Sequence, residues 1–198
     1  MIHKRVMSKT RLEAFSDGVL AIIITIMVLE LKIPHDVTWQ SVKPLIPVLA
    51  SYVISFLIIG TYWANHHHLL HTVNSVTSNM IWANLNLLFW LSLIPFATIW
   101  MGESNFLPPL VAAYAGLQCL CGIAYYILLR VIVANNPGNK NLLIPLQKQS
   151  KRGMISFLIY AAAIPAAFIQ PALSVLLFGV VLVTWFIPDR NIEKAMKT

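Results

Sequence analysis

An aspartate lies close to the start of a long apolar stretch in this 198-residue chain. Asp17 follows Phe15 and Ser16, and the basic residue Arg11 precedes all three. A carboxylate within a membrane-spanning segment is costly unless water or a polar partner accompanies it, so such residues mark ion pathways, proton relays or structural pairs. The following residues 19–29 contain one polar side chain, Thr25. The sequence therefore predicts a polar site at the charged entrance of a transmembrane helix.

Polar residues at the ends of two further apolar stretches fall at the same predicted depth as Asp17. The second stretch ends in three consecutive histidines, and the third carries Asn84 near its beginning. A buried carboxylate requires such a convergence of polar groups. We predict a network that fixes the first helix in place, and a proton relay is the other role open to it. Its predicted members are Arg11, Phe15, Ser16, Asp17, His66, His67, His68 and Asn84.

The histidine run also has the spacing of a metal site, because His67 and His71 are four residues apart on one predicted helix face. Membrane oxygenases distribute their histidines over several such boxes, and the six histidines of this chain are too few for that arrangement. The sequence also lacks a Gly-rich phosphate loop, a nucleophile elbow and a pair of intramembrane aspartates. We therefore predict no metal, no cofactor and no enzymatic activity.

The apolar face of the first helix is the second feature with functional potential. At about 100° per residue, Ile22, Thr25, Ile26 and Leu29 fall on one stripe, together with Phe15 and Gly18. Asp17 falls on the opposite side and is predicted to point into the helix bundle of its own subunit. Such a stripe is compatible with a pore lining, but aliphatic faces that contact lipid or a neighbouring helix are more common in membranes. The pattern alone leaves both interpretations open.

The composition indicates that these residues are carried by transmembrane helices. Charged residues make up 11% of the chain, against roughly 25% in soluble domains, and the mean hydropathy is +0.74. Apolar stretches of about 20 residues span a bilayer, and we predict six in a single all-α domain over residues 1–198. The predicted spans are residues 13–33, 45–69, 79–102, 109–134, 153–170 and 171–188. Residues 135–152 are predicted to form a loop with a short surface helix over Leu142–Gln149.

The distribution of basic residues predicts the orientation. Of the fourteen lysines and arginines, all except Lys32 and Lys43 fall on the same side as the N-terminus. The positive-inside rule then places both termini in the cytoplasm, in a multi-pass protein of the cell membrane. This placement accounts for the net charge of +7 without a nucleic-acid partner. The mostly aliphatic residues 109–188 are predicted to have a packing role.

Three blocks of residues, taken in chain order, closely resemble the transmembrane protein 175 family of endosomal and lysosomal potassium channels. The blocks cover residues 11–100 directly, and the six-helix plan extends the resemblance to the whole chain. The first block comprises Arg11, Phe15, Ser16, Asp17, Gly18, Ala21, Ile22, Thr25, Leu29 and Glu30. The second comprises Tyr62, Trp63, Asn65, His66 and His67, and the third comprises Trp82, Asn84, Leu88, Ser92, Pro95, Phe96 and Thr98.

This chain has one six-helix repeat, as the prokaryotic members do, and the resemblance therefore implies a homotetramer. It also implies a pore lined by the first helix of each subunit. By motif position it implies a hydrophobic constriction formed by Ile22, Ile26 and Leu29, and a hydroxyl layer at Thr25 tied to selectivity. The carbonyl filter motif of ordinary potassium channels does not occur in the sequence. Animal members carry serine where this chain has Ala21, and this difference predicts modest potassium selectivity.

The predicted function is therefore a leak-type, potassium-permeable cation channel, with potassium as the permeant ion. Glu30 and Asp36 are predicted to form an outer vestibule that raises the local cation concentration. The alternative is a proton-coupled secondary transporter that uses Asp17 and the His66–His68 cluster, although the paired inverted repeats of such transporters are not visible. A non-conducting membrane scaffold is the third possibility. Unitary currents, saturable pH-coupled flux and absence of flux distinguish the three.

Overall fold

The computed structural model describes residues 7–34, 36, 38–135 and 140–186. Within these residues every regular element is helical. The eight α-helices, with a short 3-10 turn at Lys43–Leu45 between the second and third, are α1 Lys9–Leu29, α2 Trp39–Val42, α3 Ile46–His71, α4 Ser78–Ser92, α5 Ile94–Glu103, α6 Pro108–Ala134, α7 Lys140–Ile169 and α8 Pro171–Phe186.

The helix boundaries follow from local sequence. Ser8 and Thr77 accept hydrogen bonds from the backbone N–H groups of Arg11 and Met80, and so cap the first turns of α1 and α4. Helices α3, α5 and α6 carry a proline in their first turn, where its missing N–H costs nothing. Pro95 also explains the interruption between α4 and α5, since a proline removes a hydrogen bond and crowds the preceding turn.

The predicted all-α membrane fold with six spans is confirmed. Helices α4 and α5 together make the third span, and the short α2 extends the second. Five helical segments among the described residues are long and apolar enough to cross a bilayer: Lys9–Leu29, Trp39–His71, Ser78–Glu103, Pro108–Ala134 and Leu146–Ile169. The sixth is the shorter apolar helix over Pro171–Trp185. The two ends of the chain, residues 1–6 and 187–198, lie outside the described residues, as do the basic residues that they contain.

The predicted loop over residues 135–152 is wrong for its C-terminal part. Instead of a separate surface helix over Leu142–Gln149, α7 begins at Lys140 and continues without interruption to Ile169. The polar first half of α7 is amphipathic, and it buries Leu146 and Gln149 against the bundle. Burial of this face allows the fifth span to extend as helix beyond the apolar segment.

Helix α6 is the centre of the bundle, and α1 lies at its edge. Helix α6 contacts α4, α5, α7 and α8, whereas α1 contacts α3, α4 and α5. Half of the apolar window of α6 is buried, against 28% of the corresponding window of α1. One face of α1 is therefore covered by its own subunit and the other is left uncovered.

A close approach between the second and third spans depends on Gly102. A Cβ atom built at Gly102 would lie 2.4 Å from Ser51 Oγ and 2.8 Å from Val48 Cα. We expect Gly102→Ala to lower the free energy of unfolding by about 1–3 kcal/mol, because the two helix backbones must move apart. Thermal unfolding of the purified protein in detergent measures this change.

Gly60→Ala is the matched control for this substitution. A Cβ at Gly60 meets nothing within 4 Å, and the residue lies inside α3. Alanine there gains up to about 1 kcal/mol from helix propensity. Equal unfolding temperatures for the two variants would show that the contact at Gly102 does not constrain the fold.

Candidate functional site

Helix α1 has one buried face and one exposed face. The buried side chains are Leu12, Ser16, Leu20, Ile23 and Met27, each separated from the next by three or four residues. The exposed large side chains include those of the predicted stripe, with 57% of Ile22, 42% of Ile26 and 80% of Leu29 exposed within one subunit. Phe15 lies on the same exposed face at 48%. The predicted stripe therefore corresponds to the face that its own subunit leaves uncovered.

The hydroxyl of Thr25 interrupts this apolar face in a defined orientation. Thr25 Oγ1 donates a hydrogen bond to the backbone oxygen of Ile22 at 3.0 Å. The hydroxyl proton is therefore used by the helix, and the lone pairs of the oxygen are free to accept. An exposed oxygen of this kind offers a partial negative charge to a cation on the uncovered side of α1.

A groove runs beside this face of α1, between it and α5. The groove has a volume of about 620 Å³, and its α1 wall contains Ile22 and Ile26. Its α5 wall contains Phe96 and Trp100, which are 67% and 50% exposed. Exposed apolar side chains of this kind in a membrane-spanning bundle contact either lipid or another protein chain.

Asp17 points away from the stripe, as predicted from the helical wheel. One of its carboxylate oxygens accepts a hydrogen bond from Trp63 Nε1 at 3.0 Å, so the aspartate is tied to α3. Trp63 was not predicted as the partner, although it belongs to the second motif block. An indole N–H is a donor only, which suits an ionised carboxylate.

Ser16, Asn84 and His66 form a fully buried hydrogen-bonded chain across α1, α4 and α3. Asn84 Nδ2 donates to Ser16 Oγ at 2.9 Å, and His66 Nε2 lies 2.6 Å from Asn84 Oδ1. The exposed fractions of the three residues are 0%, 0% and 1%. These three predicted network members are brought together, and they link α1 to two of its neighbours, α4 and α3.

The hydrogen-bond directions in this chain define the tautomer of His66. Ser16 Oγ donates its proton to the backbone oxygen of Leu12 at 2.8 Å, so it accepts from the Asn84 amide nitrogen. The amide oxygen therefore faces His66, and only a protonated Nε2 can donate to it. Neutral His66 then carries its lone pair on Nδ1, a buried atom that has no hydrogen-bond partner among the described residues.

The remaining predicted members of the network lie apart from this chain. The Arg11 side chain is exposed, and no hydrogen bond or ion pair to its guanidinium exists among the described residues. The His67 ring stacks on Trp63 and contacts the rings of His68 and His71, with ring centroids 4.6 Å apart for His67 and His71. His67 therefore contacts the Asp17 partner rather than Asp17 itself.

A second acid on α1, Glu13, belongs to the same end of the helix and was not predicted. Lys9 lies 3.9 Å from Glu13 Oε1 and also donates to the backbone oxygen of His71 at 2.8 Å. Glu13 and Asp17 are four residues apart, and so lie on one side of α1. The spacing of four residues between Glu13 and Asp17 is the signal by which Glu13 could have been found from the sequence.

At the opposite end of α1, acidic and basic residues lie together. Glu30 ends the helix and is exposed, and Asp36 is exposed in the following segment. Lys32 forms an ion pair with Glu103, which terminates α5. The hydrogen bond to Glu103 and the negative charge of that residue raise the pKa of Lys32, with a smaller contribution from Glu30. Lys32 therefore stays charged at neutral pH and offsets part of the acidic charge at this end.

A third polar group lies behind α1 at the level of Met27. Thr98 Oγ1 lies 2.7 Å from Ser55 Oγ, and the Tyr114 hydroxyl is 2.7 Å from the same serine. The three residues are completely buried and join α5, α3 and α6. These contacts hold the helices that support α1 from behind.

Comparisons with known proteins agree on one family. The family model described as "Endosomal/lysosomal potassium channel TMEM175" matches residues 11–95. A protein of Chryseobacterium sp. (strain P1-3) named as a potassium channel is 47% identical over 191 residues, which cover 96% of this chain and 99% of the relative. The human protein named endosomal/lysosomal proton channel TMEM175 is 27% identical over 192 residues, or 88% of this chain and 37% of the human protein.

The fold also matches a solved structure. The crystal structure described as a lysosomal potassium-selective channel TMEM175 homolog from Chamaesiphon minutus superposes with a TM-score of 0.81 at 26% identity. The match covers 92% of this chain and 97% of that chain.

Proposed function

The chain belongs to the TMEM175 family, so it is a multi-pass membrane channel and not an enzyme, and from this premise we propose that it conducts potassium as a homotetramer. Residues 1–198 form one functional unit in this proposal, with both termini in the cytoplasm of a cell-membrane protein. The observation that carries it is the uncovered stripe of α1, which the subunit's own helices leave exposed.

Four copies of this stripe form stacked apolar rings around a central axis. At a rise of about 1.5 Å per residue, the Ile22 and Ile26 rings lie about 6 Å apart, and the Leu29 ring lies about 4.5 Å beyond them. Apolar constrictions of this kind regulate conduction by excluding water. A pore with no carbonyl filter and three such rings is a leak-type pathway with weak selectivity.

The groove between α1 and α5 supports the tetramer. Its aromatic wall, formed by Phe96 and Trp100, offers a neighbouring subunit an exposed apolar surface to pack against. A neighbouring subunit that occupies the groove places the four α1 helices side by side. Glu30 and Asp36 then ring the outer mouth and attract cations.

The polar chain of Ser16, Asn84 and His66 holds α1 in the orientation that this pore requires. Its member on α1, Ser16, lies six residues before Ile22, on the buried face of the helix. Asp17 and Trp63 add a second anchor beside it. The role of these residues in the proposal is structural, and the permeant ion does not contact them.

Thr25→Val tests the hydroxyl layer. Valine keeps the shape of threonine but offers no oxygen, so we expect the ratio of potassium to sodium permeability to fall toward one. Reversal potentials in bi-ionic gradients across planar bilayers measure this ratio.

Thr184→Val is the matched control, because Thr184 on α8 makes the same type of bond to the backbone, at 2.6 Å to Val181. It lies outside α1 and its groove. An unchanged permeability ratio in Thr25→Val, or an equal change in both variants, would remove the hydroxyl layer from the proposal.

Single-channel recording of the purified protein in potassium and sodium gradients tests the function as a whole. We expect unitary currents that do not saturate at millimolar potassium. Saturable flux coupled to a pH gradient would favour the transporter that uses Asp17 and the histidines. Absence of ion flux in liposomes would favour a non-conducting membrane scaffold.

A further inference from the structure

One exposed face of α7 carries basic side chains at one end and apolar side chains at the other. Its residues Lys148, Lys151, Ile155 and Leu158 are all exposed, and they follow one another at spacings of three, four and three residues. At about 100° per residue, these four side chains fall within about 80° of the helix circumference. Since α7 is helical without interruption over this range, the four residues form one continuous stripe, here called the α7 stripe.

Contacts with neighbouring helices determine the depth of the two lysines in the bundle. Gln149, which follows the first lysine, donates a hydrogen bond to the Tyr125 hydroxyl on α6 at 2.6 Å. That hydroxyl donates in turn to the backbone oxygen of Asn65 on α3 at 3.2 Å. Asn65 lies two residues after Trp63, which binds the carboxylate near the beginning of α1. The basic end of the α7 stripe therefore lies at the same end of the bundle as the beginning of α1.

The positive charge at this end is not balanced by acidic residues of the same part of the chain. Residues 104–188 contain no aspartate or glutamate, but they contain five basic residues: Arg130, Lys140, Lys148, Lys151 and Arg152. No ion pair to the Lys151 ammonium exists among the described residues. The positive-inside rule explains the side of the membrane on which basic residues lie. It does not explain why two of them continue an exposed apolar face of the same helix.

The α7 stripe lies apart from the face that the proposed tetramer covers. Helix α7 packs mainly against α6 and α8, whereas α1 packs mainly against α3, α4 and α5. The apolar part of the stripe belongs to a segment, Leu146–Ile169, that is long and apolar enough to cross a bilayer. Exposed apolar residues of such a segment contact lipid when no other chain covers them, and the adjoining lysines then lie at the depth of the lipid headgroups.

We propose that the α7 stripe binds an anionic phospholipid of the leaflet next to the beginning of α1. Lys148 and Lys151 bind the phosphate of the headgroup, and an acyl chain packs along Ile155 and Leu158. At about 1.5 Å per residue, Leu158 lies about 10 Å from Lys151 along the helix, within the roughly 15 Å depth of one hydrocarbon leaflet. Basic residues beside a membrane-spanning segment attract anionic lipids. A nucleic acid or an acidic protein would contact only the charged end of the stripe.

Two lipids with identical acyl chains test the charge requirement of the site. Dioleoyl phosphatidylglycerol has an anionic headgroup, and dioleoyl phosphatidylcholine has a zwitterionic one. Native mass spectrometry of the purified full-length protein, titrated with each lipid in detergent, gives the two affinities. We expect the parent protein to bind phosphatidylglycerol about fivefold or more tightly than phosphatidylcholine, since each basic residue near the headgroup contributes about that factor. Equal affinities for the two lipids would overturn the proposal.

Variants locate the binding on α7. Lys151→Gln is expected to weaken phosphatidylglycerol about fivefold and to leave phosphatidylcholine unchanged, whereas Lys151→Arg keeps the charge and the affinity. Leu158→Asn is expected to weaken both lipids, because it disturbs the surface that contacts the acyl chain. Lys43→Gln is the matched control, since Lys43 is an exposed lysine in the 3-10 turn at the opposite end of the bundle. It removes the same charge, and we expect both affinities to stay at the parent values.

Three further results would contradict the α7 site. Equal weakening by Lys43→Gln and Lys151→Gln would show that only the net charge of the protein attracts the lipid. Parent-like binding by Lys151→Gln would place the lipid elsewhere. Full competition by soluble glycerol phosphate would show that the site binds a free phosphate rather than a lipid. The comparison of the two lipids on the parent protein remains decisive if a variant does not fold. Lipid affinity is measured without any ion flux, so failure of this site and failure of the proposed channel function are distinguishable.

Discussion

Ile22→Asn is expected to raise the potassium current of the reconstituted channel by about tenfold or more. An isoleucine ring excludes water, and an amide in its place hydrates the narrow part of the pore. A tenfold increase needs a barrier lower by about 1.4 kcal/mol. The substitution removes about two apolar methylene groups from the wall of the ion path. At about 0.8 kcal/mol each, these groups account for roughly that lowering of the barrier. In the proposed tetramer each of four subunits contributes one substitution, so we expect the increase in current to exceed tenfold.

Val28→Asn is the control for this experiment. Val28 lies on the same helix and is 45% exposed, but it falls on the side of α1 that carries Asp17 rather than on the stripe. We expect its unitary conductance to stay within about twofold of the parent value, because an amide there does not enter the pore. The measurement is the single-channel current amplitude in symmetrical potassium. Equal conductance in Ile22→Asn and the parent protein would exclude Ile22 as the narrow point.

The exposed stripe could be predicted from the sequence because it depends on one helix alone. Helical periodicity determines that Ile22, Ile26 and Leu29 share a face and that Asp17 lies on the other side. The structure adds which face the subunit covers. That information comes from the buried positions of α1, which pack against α3, α4 and α5.

The partner of Asp17 could not be predicted in the same way. Trp63 and the histidines occupy successive turns of α3, and the sequence alone does not determine which of them the rotation of that helix brings next to Asp17. The rotation is determined by packing of the whole bundle, including Ser55 against Thr98 and Tyr114. Single hydroxyls on three different helices produce no periodic pattern, so this polar group was not visible in the sequence.

The α7 extension was missed for a related reason. The polar segment before the fifth span reads as a loop when hydropathy alone is considered, since its apolar positions are few. The helix is stabilised because Leu146 and Gln149 are buried against the rest of the bundle. Gln149 also donates a hydrogen bond to the Tyr125 hydroxyl on α6. Tertiary packing thus stabilises a helix that composition alone does not favour.

Asn84→Ala is expected to destabilise the folded subunit by about 2 kcal/mol. Asn84 joins Ser16 to His66, so its removal deletes two buried hydrogen bonds at 2.9 Å and 2.6 Å. Hydrogen bonds between helices in membranes contribute roughly 0.6–1.7 kcal/mol each. The Nε2–H group of His66 is left without an acceptor, which adds to the loss. Unfolding in detergent under increasing denaturant measures the change in free energy.

Asn86→Ala is the matched control on the same helix. Asn86 is half-buried, and its side chain forms no hydrogen bond with any residue that the structure describes. We expect the loss in the free energy of unfolding to stay below about 1 kcal/mol, because no buried hydrogen bond is removed.

A double-mutant cycle with Ser16→Ala isolates the link between α1 and α4. The expected coupling energy is about 0.6–1.7 kcal/mol, because both single variants remove the same bond. Additive losses in the double variant would show that Asn84 does not anchor the pore helix through Ser16. If α1 is instead held mainly by Asp17 and Trp63, Trp63→Phe will cost more than Asn84→Ala. The order of these two losses decides which contact holds the stripe of Ile22 in its orientation.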